Sequence, residues 1–173
     1  MRKAVFFDRD GVLNVDKGYL SRVEDFEWID GAKEAVVWLT KEGYDVVVVT
    51  NQSGVARGYY TEDDVRRLHD WMCRQIEEAG GKVMAVYYCP YLEGAPVKAY
   101  DKKSDWRKPA PGMILQAAAD WDIDLVSSVM IGDMPRDVEC GERAGVPSYL
   151  FEGGSLLDFV RKIVKEGKCR ETI

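Results

Sequence analysis

The stretch AVFFDRDG, residues 4–11, decides the fold and carries the first chemical signal of this sequence. Its first four residues are apolar, as in a short strand that is buried on both faces of a sheet. Asp8 and Asp10 follow, and then Gly11. Two carboxylates at the end of a buried strand repel each other and are costly to remove from water. A solvated Asp-Gly turn would avoid that cost, so the rest of the sequence must distinguish a turn from a site.

Similar apolar runs recur along the chain and alternate with helical patterns. The predicted strands are residues 4–7, 46–49, 83–88, 126–131 and a weaker fifth at 148–151. The predicted helices are residues 31–42 with Asp30 as N-cap, 62–79 with Thr61 as N-cap, 111–121, 135–145 and 155–166. Strands that alternate with helices predict an α/β fold with a mainly parallel sheet and right-handed crossovers.

The composition excludes several classes of protein. A chain of 173 residues is expected to form one domain, and its net charge of −6 disfavours a nucleic-acid partner. Acidic residues come too early for a signal peptide, and no apolar run reaches the roughly 18 residues of a membrane span. The scattered cysteines, Cys73, Cys89, Cys140 and Cys169, indicate reduced thiols. We therefore expect a cytoplasmic monomer with no membrane partner.

Polar residues follow three of the predicted strands, at the edge where an open α/β sheet binds its ligands. These residues are Asp8 and Asp10, Thr50 in TNQSG, and Asp133 in GDMPRD. Carboxylates that share one rim favour a hard cation, Mg²⁺ rather than Zn²⁺, and Mg²⁺ commonly joins carboxylates to a phosphate. A bound phosphate needs a fixed positive group, which the stretch WRKPAP, residues 106–111, can supply.

This arrangement gives the paired aspartates a division of labour. One carboxylate can attack phosphorus and form an acyl phosphate, while the other protonates the leaving group and later activates water. A phospho-accepting signalling receiver is an alternative of a different class, since it also has an aspartate at a strand end. Asp10 disfavours it, because an acid/base beside the nucleophile hydrolyses the acyl phosphate that a switch must keep. Asp137 is expected to orient a lysine or cap a helix, with a metal-binding role as the alternative, and His69 to be a solvated or half-buried helix residue.

Four motifs in order resemble those of the haloacid dehalogenase superfamily. They are DRDG at 8–11, Thr50 in VVVVTNQSG, Lys108 in RKP, and GDMPRD at 132–137. The resemblance implies a Rossmann-like, three-layer fold without a large cap domain, and a Mg²⁺-dependent phosphatase that forms an aspartyl phosphate. The stretches DRDGVLNVDKGYLSRVEDFEWIDGA and TNQSGVARGYYTEDD are similar to the heptose-bisphosphate and histidinol-phosphate phosphatase group. The 7-phosphate of heptose 1,7-bisphosphate is the first candidate substrate, and histidinol phosphate is the alternative.

The resemblance also implies a role for each matching residue. Asp8 would be the nucleophile and Asp10 the general acid/base, while Thr50 and Lys108 would hold the transferring phosphoryl group. Mg²⁺ would be held by the Asp8 side chain, the Asp10 backbone carbonyl and Asp133. The substrate side would be lined by Asp16, Lys17, Gly18, Tyr19, Asn51, Gln52, Ser53 and Arg107.

Two segments interrupt the alternation of strands and helices, and one residue departs from the group. Residues 14–29 are interpreted as a small flap, with a hairpin as one possible form, and residues 90–106 as a substrate loop. Relatives in this group carry a zinc clip before the RKP motif, but residues 90–106 contain no cysteine or histidine, so no zinc is predicted. Met134 stands where heptose enzymes of the group often have lysine.

Overall fold

A computed structural model describes residues 1–171, with side chains described as far as residue 167. Its five-stranded sheet has the order β3-β2-β1-β4-β5, and every neighbouring pair of strands is parallel. The strands are β1 Ala4–Phe7, β2 Asp45–Asn51, β3 Ala85–Cys89, β4 Val129–Gly132 and β5 Ser148–Leu150. The parallel sheet predicted from the apolar runs is confirmed.

Helices cover both faces of the sheet, as the three-layer prediction requires. They are α1 Ala32–Lys41, α2 Glu62–Glu78, α3 Gly112–Trp121, α4 Pro135–Arg143 and α5 Leu156–Glu171. Val5 and Phe7 of β1 pack in the core formed with α1, α2 and α5, whereas Ala4 and Phe6 face α3 and α4. Successive side chains of a strand point to opposite faces, so one short apolar strand serves both cores.

The predicted element ends are partly confirmed. Thr61 caps α2 in a capping box with Asp64, whose backbone N–H donates to the Thr61 hydroxyl at 3.2 Å. The prediction that Asp30 caps α1 is wrong. Gly31 occupies the N-cap position with φ +73°, and the Asp30 carbonyl instead accepts from the Leu156 backbone N–H at 2.9 Å. Helix α1 therefore begins without a side-chain cap, and Asp30 instead contacts the start of α5 through its backbone.

The fourth strand starts later than predicted, because the chain turns over residues 125–128, where the Ser128 backbone N–H donates to the Leu125 carbonyl at 3.2 Å. Val126 is 78% exposed, which is incompatible with a strand buried on both faces. The Ser128 hydroxyl donates to the Asp124 carbonyl at 2.6 Å and accepts from the Ala4 backbone N–H at 3.0 Å. Because Ser128 closes this turn, β4 begins only at Val129 and not at residue 126.

The flap, residues 14–29, is not a regular hairpin. One antiparallel bridge joins Asn14 to Trp28, and the chain between them forms a loop with a short 3₁₀ turn at Val23–Asp25. Phe26 packs edge-on against Trp28, with ring centroids 4.8 Å apart, and against Trp71 of α2 at 5.1 Å. Aromatic packing on α2 therefore holds the base of the flap.

The substrate loop, residues 90–106, is tied to the start of α2 by hydrogen bonds. The Glu62 carboxylate accepts from the hydroxyls of Tyr88 and Tyr100, each at 2.8 Å. The Val97 backbone N–H donates to the Ala56 carbonyl at 3.1 Å, which connects the loop to the segment after β2. The loop is thus attached to α2 through the Tyr100 side chain and to the segment after β2 through the Val97 backbone.

Two further predictions bear on the whole chain. Among the helices that the structure describes, none combines the length and apolarity needed to cross a lipid bilayer. Cys73, Cys89 and Cys140 are free thiols, as predicted, while the side chain of Cys169 lies outside the described residues.

Candidate active site

The predicted polar residues meet at one edge of the sheet. Phe7 of β1 is in register with Val48 and Ile131, and the Asp8 backbone N–H donates to the Ile131 carbonyl at 3.1 Å. The residues that follow these strands therefore surround one cavity of about 300 Å³, called here the active-site cavity. Its walls are formed by Asp8, Asp10, Asp16, Gly18, Tyr19, Asn51, Gln52, Ser53, Arg57, Tyr60, Arg107, Lys108, Asp133, Met134 and Arg136.

Asp8 and Lys108 form the buried centre of this cavity. The Lys108 ammonium lies 2.8 Å from Asp8 Oδ1, 2.7 Å from Asp137 Oδ1 and 2.9 Å from the Val49 carbonyl. Burial lowers the pKa of Lys108, but Asp8 and Asp137 raise it to a net value above its ordinary range. The two carboxylates therefore favour the charged form of the lysine. Asp137 also accepts from the Met134 backbone N–H at 3.1 Å, so both roles expected of it, lysine partner and helix cap, are present.

The carboxylates of the cavity suit a hard cation. Ligand atoms of Asp8, Asp133 and Asp137 lie within 4.8 Å of one another, and Asp133 Oδ1 is buried without a hydrogen-bond partner. Burial raises the pKa of Asp8 to about 8, and burial likewise raises the pKa of Asp133, so the carboxylates lack sufficient compensation for their charge. Gly11, at φ +85°, makes room for Asp133, since a Cβ there would lie 1.9 Å from Asp133 Oδ2. The all-oxygen donor set fits Mg²⁺.

The Asp10 carboxylate is not part of that acidic group and is held by other side chains. Its Oδ1 accepts from Arg9 Nη2 at 2.8 Å and from Asn14 Nδ2 at 3.0 Å. Its Oδ2 accepts a long bond from Gln52 Nε2 at 3.3 Å. Asp10 is therefore held mainly through one oxygen, and the residue forms part of the cavity wall. This arrangement suits a residue that transfers protons and contributes only its backbone carbonyl to a metal.

Gln52 and Thr50 form hydrogen bonds within the protein that the sequence did not indicate. Gln52 Nε2 donates to the Thr50 hydroxyl at 2.9 Å, and Gln52 Oε1 accepts from the Tyr60 hydroxyl at 2.7 Å. Thr50 itself is fully buried and is not part of the cavity wall. Gln52 thus connects Tyr60, Thr50 and Asp10, and the phosphate-binding role of Thr50 remains a prediction.

Asn51 joins the end of β2 to the loop that carries the basic residues. Its side chain accepts from the Lys108 backbone N–H at 2.9 Å and donates to the Lys108 carbonyl at 3.2 Å. This pair of bonds fixes the backbone at Lys108, and with it the start of the side chains of Arg107 and Lys108. The predicted substrate residue Asn51 therefore also positions two other predicted site residues.

The flap residues are only partly brought to the cavity. Asp16, Gly18 and Tyr19 lie in its wall, but Lys17 does not, because its ammonium pairs with Glu27 at 3.3 Å. Tyr19 adopts φ +54°, an uncommon conformation for a bulky residue, and its ring lies edge-on to Tyr59 with centroids 4.9 Å apart. The substrate role of Lys17 stays a prediction without a supporting contact.

Four residues of the wall were not among the predicted site residues. Met134 had been noted only as a departure from the group, and Arg57, Tyr60 and Arg136 had not been considered. Both Arg57 and Tyr60 lie within TNQSGVARGYYTEDD, and Arg136 lies within GDMPRD, so the motifs contained them. Their exposure to the cavity follows from how the loops fold back, which a motif does not specify. The prediction that His69 is solvated or half-buried is also wrong, since it is only 5% exposed.

Comparison with known proteins agrees with this geometry. A family model described as haloacid dehalogenase-like hydrolase matches residues 5–69, and one described as HAD-hydrolase-like matches residues 105–158. The D-glycero-beta-D-manno-heptose-1,7-bisphosphate 7-phosphatase of Rhodopseudomonas palustris is 42% identical over 165 residues, covering 95% of this chain and 92% of that protein. The D-glycero-alpha-D-manno-heptose-1,7-bisphosphate 7-phosphatase of Burkholderia mallei is 44% identical over 149 residues, covering 86% and 79%.

A solved structure gives the same result for the fold. The D,D-heptose 1,7-bisphosphate phosphatase from B. bronchiseptica, complexed with magnesium and phosphate, matches with a TM-score of 0.81 and 30% identity. The match covers 95% of this chain and 99% of that one. The resemblance inferred from four motifs is thereby confirmed, and the signalling receiver is disfavoured. The chain belongs to the haloacid dehalogenase-like hydrolases and is a phosphoric monoester hydrolase.

Proposed function

We propose that the protein is a Mg²⁺-dependent phosphatase that removes the 7-phosphate of D-glycero-D-manno-heptose 1,7-bisphosphate. The observation that carries this proposal is the active-site cavity, whose wall combines the carboxylates of Asp8 and Asp10 with three guanidinium groups. In a sugar with a phosphate at each end, one phosphate would react beside the two aspartates and the other would bind to the arginines. Relatives above 40% identity that are named for this reaction support the choice of sugar.

Asp8 and Asp10 would divide the reaction between them. A carboxylate oxygen of Asp8 attacks phosphorus, the bond from phosphorus to the sugar oxygen breaks, and Asp10 gives its proton to that oxygen. Asp10 then takes a proton from water as the water attacks the acyl phosphate. Inorganic phosphate leaves, and both carboxyl groups return to their starting states. Lys108 holds a positive charge beside the phosphoryl oxygens throughout.

Mg²⁺ would be held by the side chains of Asp8 and Asp133 and by the backbone carbonyl of Asp10. When bound, it neutralises charge on the carboxylates and on the phosphoryl oxygens. The unpartnered Asp133 Oδ1 supplies an oxygen that needs such a partner. No zinc is proposed for the substrate loop, and metal analysis of the purified protein would test that prediction directly.

A second anion site would hold the phosphate that stays on the sugar. Arg107 Nη1 is buried without a hydrogen-bond partner, although guanidinium groups are rarely left unpaired. Burial lowers the pKa of Arg107, and the neighbouring guanidiniums of Arg136 and Arg57 lower it further. Cations held together in this way favour a dianion between them. Histidinol phosphate would instead place a cationic amine near these arginines, which disfavours it as the substrate.

Phosphate release from a panel of substrates tests the proposed function. The panel contains both anomers of heptose 1,7-bisphosphate, histidinol phosphate, fructose 1,6-bisphosphate and simple monophosphates. We expect one heptose anomer to exceed every other substrate in kcat/KM by at least about a hundredfold, equivalent to roughly 2.7 kcal/mol. A chelator should abolish the activity and Mg²⁺ should restore it. Preference for histidinol phosphate would refute the substrate while leaving the reaction type intact.

Replacing Arg107 with alanine should change specificity more than chemistry. We expect kcat/KM for the heptose bisphosphate to fall about 30- to 100-fold, because a charge-assisted pair with the second phosphate is lost. The same change should alter kcat/KM for heptose 7-phosphate less than about threefold. Arg143→Ala, on the exposed end of α4 where it pairs with Glu139, is the matched control and should affect neither substrate. Equal losses on both substrates would contradict a role in binding the second phosphate.

A further inference from the structure

Arg9 is a buried cation that lies between the two aspartates of the DRDG motif. It is only 1% exposed, which is rare for an arginine. Its Nε and Nη2 donate to Asp10 Oδ1 at 3.2 and 2.8 Å, and Nη2 also donates to the Leu20 carbonyl at 3.2 Å. These contacts leave Nη1 without a backbone or carboxylate acceptor among the described residues.

His69 supplies the missing acceptor. Its Nε2 lies 3.1 Å from Arg9 Nη1, and the imidazole is buried on the face of α2 that packs towards the sheet. Arginine nitrogens only donate, so Nε2 must accept and the ring proton resides on Nδ1. Burial, and secondly the charge of Arg9, lower the pKa of His69 well below its ordinary value, which agrees with a neutral acceptor.

We propose that His69 is a positioning residue for catalysis, acting through the Arg9 guanidinium to hold the Asp10 carboxylate in the orientation that transfers protons. The connection is continuous, from His69 Nε2 to Arg9 Nη1 and from Arg9 Nη2 to Asp10 Oδ1. It rests on the proposed function, in which Asp10 is the general acid/base. His69 does not touch the active-site cavity, so its effect on the reaction is indirect.

The geometry explains why this position matters. Two Arg9 donors and the Asn14 amide converge on Asp10 Oδ1, whereas Oδ2 accepts only the long bond from Gln52 and is the oxygen available for proton transfer. Without His69 the guanidinium must turn to find another acceptor for Nη1, and Asp10 would turn with it. Small displacements of a proton-transfer group are expensive, because its heavy atom must stay within about 3 Å of the reacting oxygen.

The test compares two leaving groups in the full-length protein with Mg²⁺. A sugar alkoxide needs a proton as it leaves, whereas p-nitrophenolate leaves as a stable anion. For His69→Leu we expect kcat/KM on the heptose 1,7-bisphosphate to fall at least about tenfold, and kcat/KM on p-nitrophenyl phosphate to fall less than about twofold. Asp10→Asn should show the same pattern with a larger loss. His69→Gln restores an acceptor and should stay within about threefold of wild type on both substrates.

A control variant separates positioning from loss of stability. Ile76→Ala removes a fully buried side chain seven residues along the same face of α2, and should lower the melting temperature without changing either kcat/KM. Equal losses on the two substrates for His69→Leu, or no loss on either, would overturn the inference. If His69→Leu does not fold, a His69→Gln protein with the pattern of Asp10→Asn would overturn it as well. An inactive wild type would refute the proposed function itself, which makes the two failures distinguishable.

Discussion

Asp8→Asn is expected to lower kcat/KM by at least about 10⁴-fold, equivalent to roughly 5.4 kcal/mol of transition-state stabilisation. The amide is a poor nucleophile and cannot form the acyl phosphate. The fold should survive, because the substitution removes one of the buried carboxylates whose charges oppose each other. Phosphate release at saturating Mg²⁺ measures the loss, and thermal unfolding with and without Mg²⁺ measures the metal site.

The thermal measurement sharpens this prediction. Mg²⁺ should raise the melting temperature of the wild type and have a much smaller effect on Asp8→Asn, since a ligand that binds only the native state stabilises it. Asp70→Asn, an exposed substitution on α2, is the matched control and should retain both activity and the response to Mg²⁺. Activity of Asp8→Asn within tenfold of wild type would refute Asp8 as the nucleophile.

Lys108→Met should combine a large loss of activity with a loss of stability. The ammonium is buried between Asp8 and Asp137, so removing it leaves two carboxylates without their cation. Breaking a buried ion pair by removing one partner typically costs about 3–5 kcal/mol. We therefore expect the free energy of unfolding in the absence of Mg²⁺ to fall by about that amount. We also expect kcat/KM at saturating Mg²⁺ to fall at least about 10³-fold, because the phosphoryl group loses its fixed cation.

A double variant distinguishes the two losses. Lys108→Met with Asp137→Asn removes a carboxylate together with the cation, and should recover part of the stability but none of the activity. Urea unfolding and phosphate release on the same preparations provide both measurements. Recovery of activity in the double variant would mean that Lys108 acts only by neutralising Asp137, and not on the phosphoryl group.

The motifs predicted the fold and the place of Asp8 and Asp133 because parallel strands fix the positions of the residues that directly follow them. β1 is four residues long and buried throughout, so whatever follows Phe7 must appear at the carboxyl edge. The same holds for Asp133 after β4, whose parallel register with β1 aligns the two strand ends. The positions of Asp8 and Asp133 and the α/β architecture could therefore be inferred from the sequence.

Contacts between distant segments could not be inferred in this way. Asp30 has the chemistry of an N-cap, yet its carbonyl bonds to Leu156, 126 residues further along the chain. Gln52 was expected to bind substrate, but Tyr60 and Thr50 occupy both ends of its amide. Such outcomes depend on which loops fold against each other, and local propensity carries no information about that.

The sequence by itself determined the α/β order, the strand ends that carry Asp8 and Asp133, and the membership of the family. It did so because a buried strand can be read from a short stretch of sequence, and the residues that follow such a strand lie at the carboxyl edge of the sheet. The tertiary structure alone decided where His69 lies and which group it contacts. A histidine on the buried face of a helix has an ordinary appearance in sequence, and only the packing of α2 against the DRDG loop places its nitrogen 3.1 Å from Arg9. At that distance His69 Nε2 can accept from Arg9 Nη1, a buried donor that requires a hydrogen-bond partner.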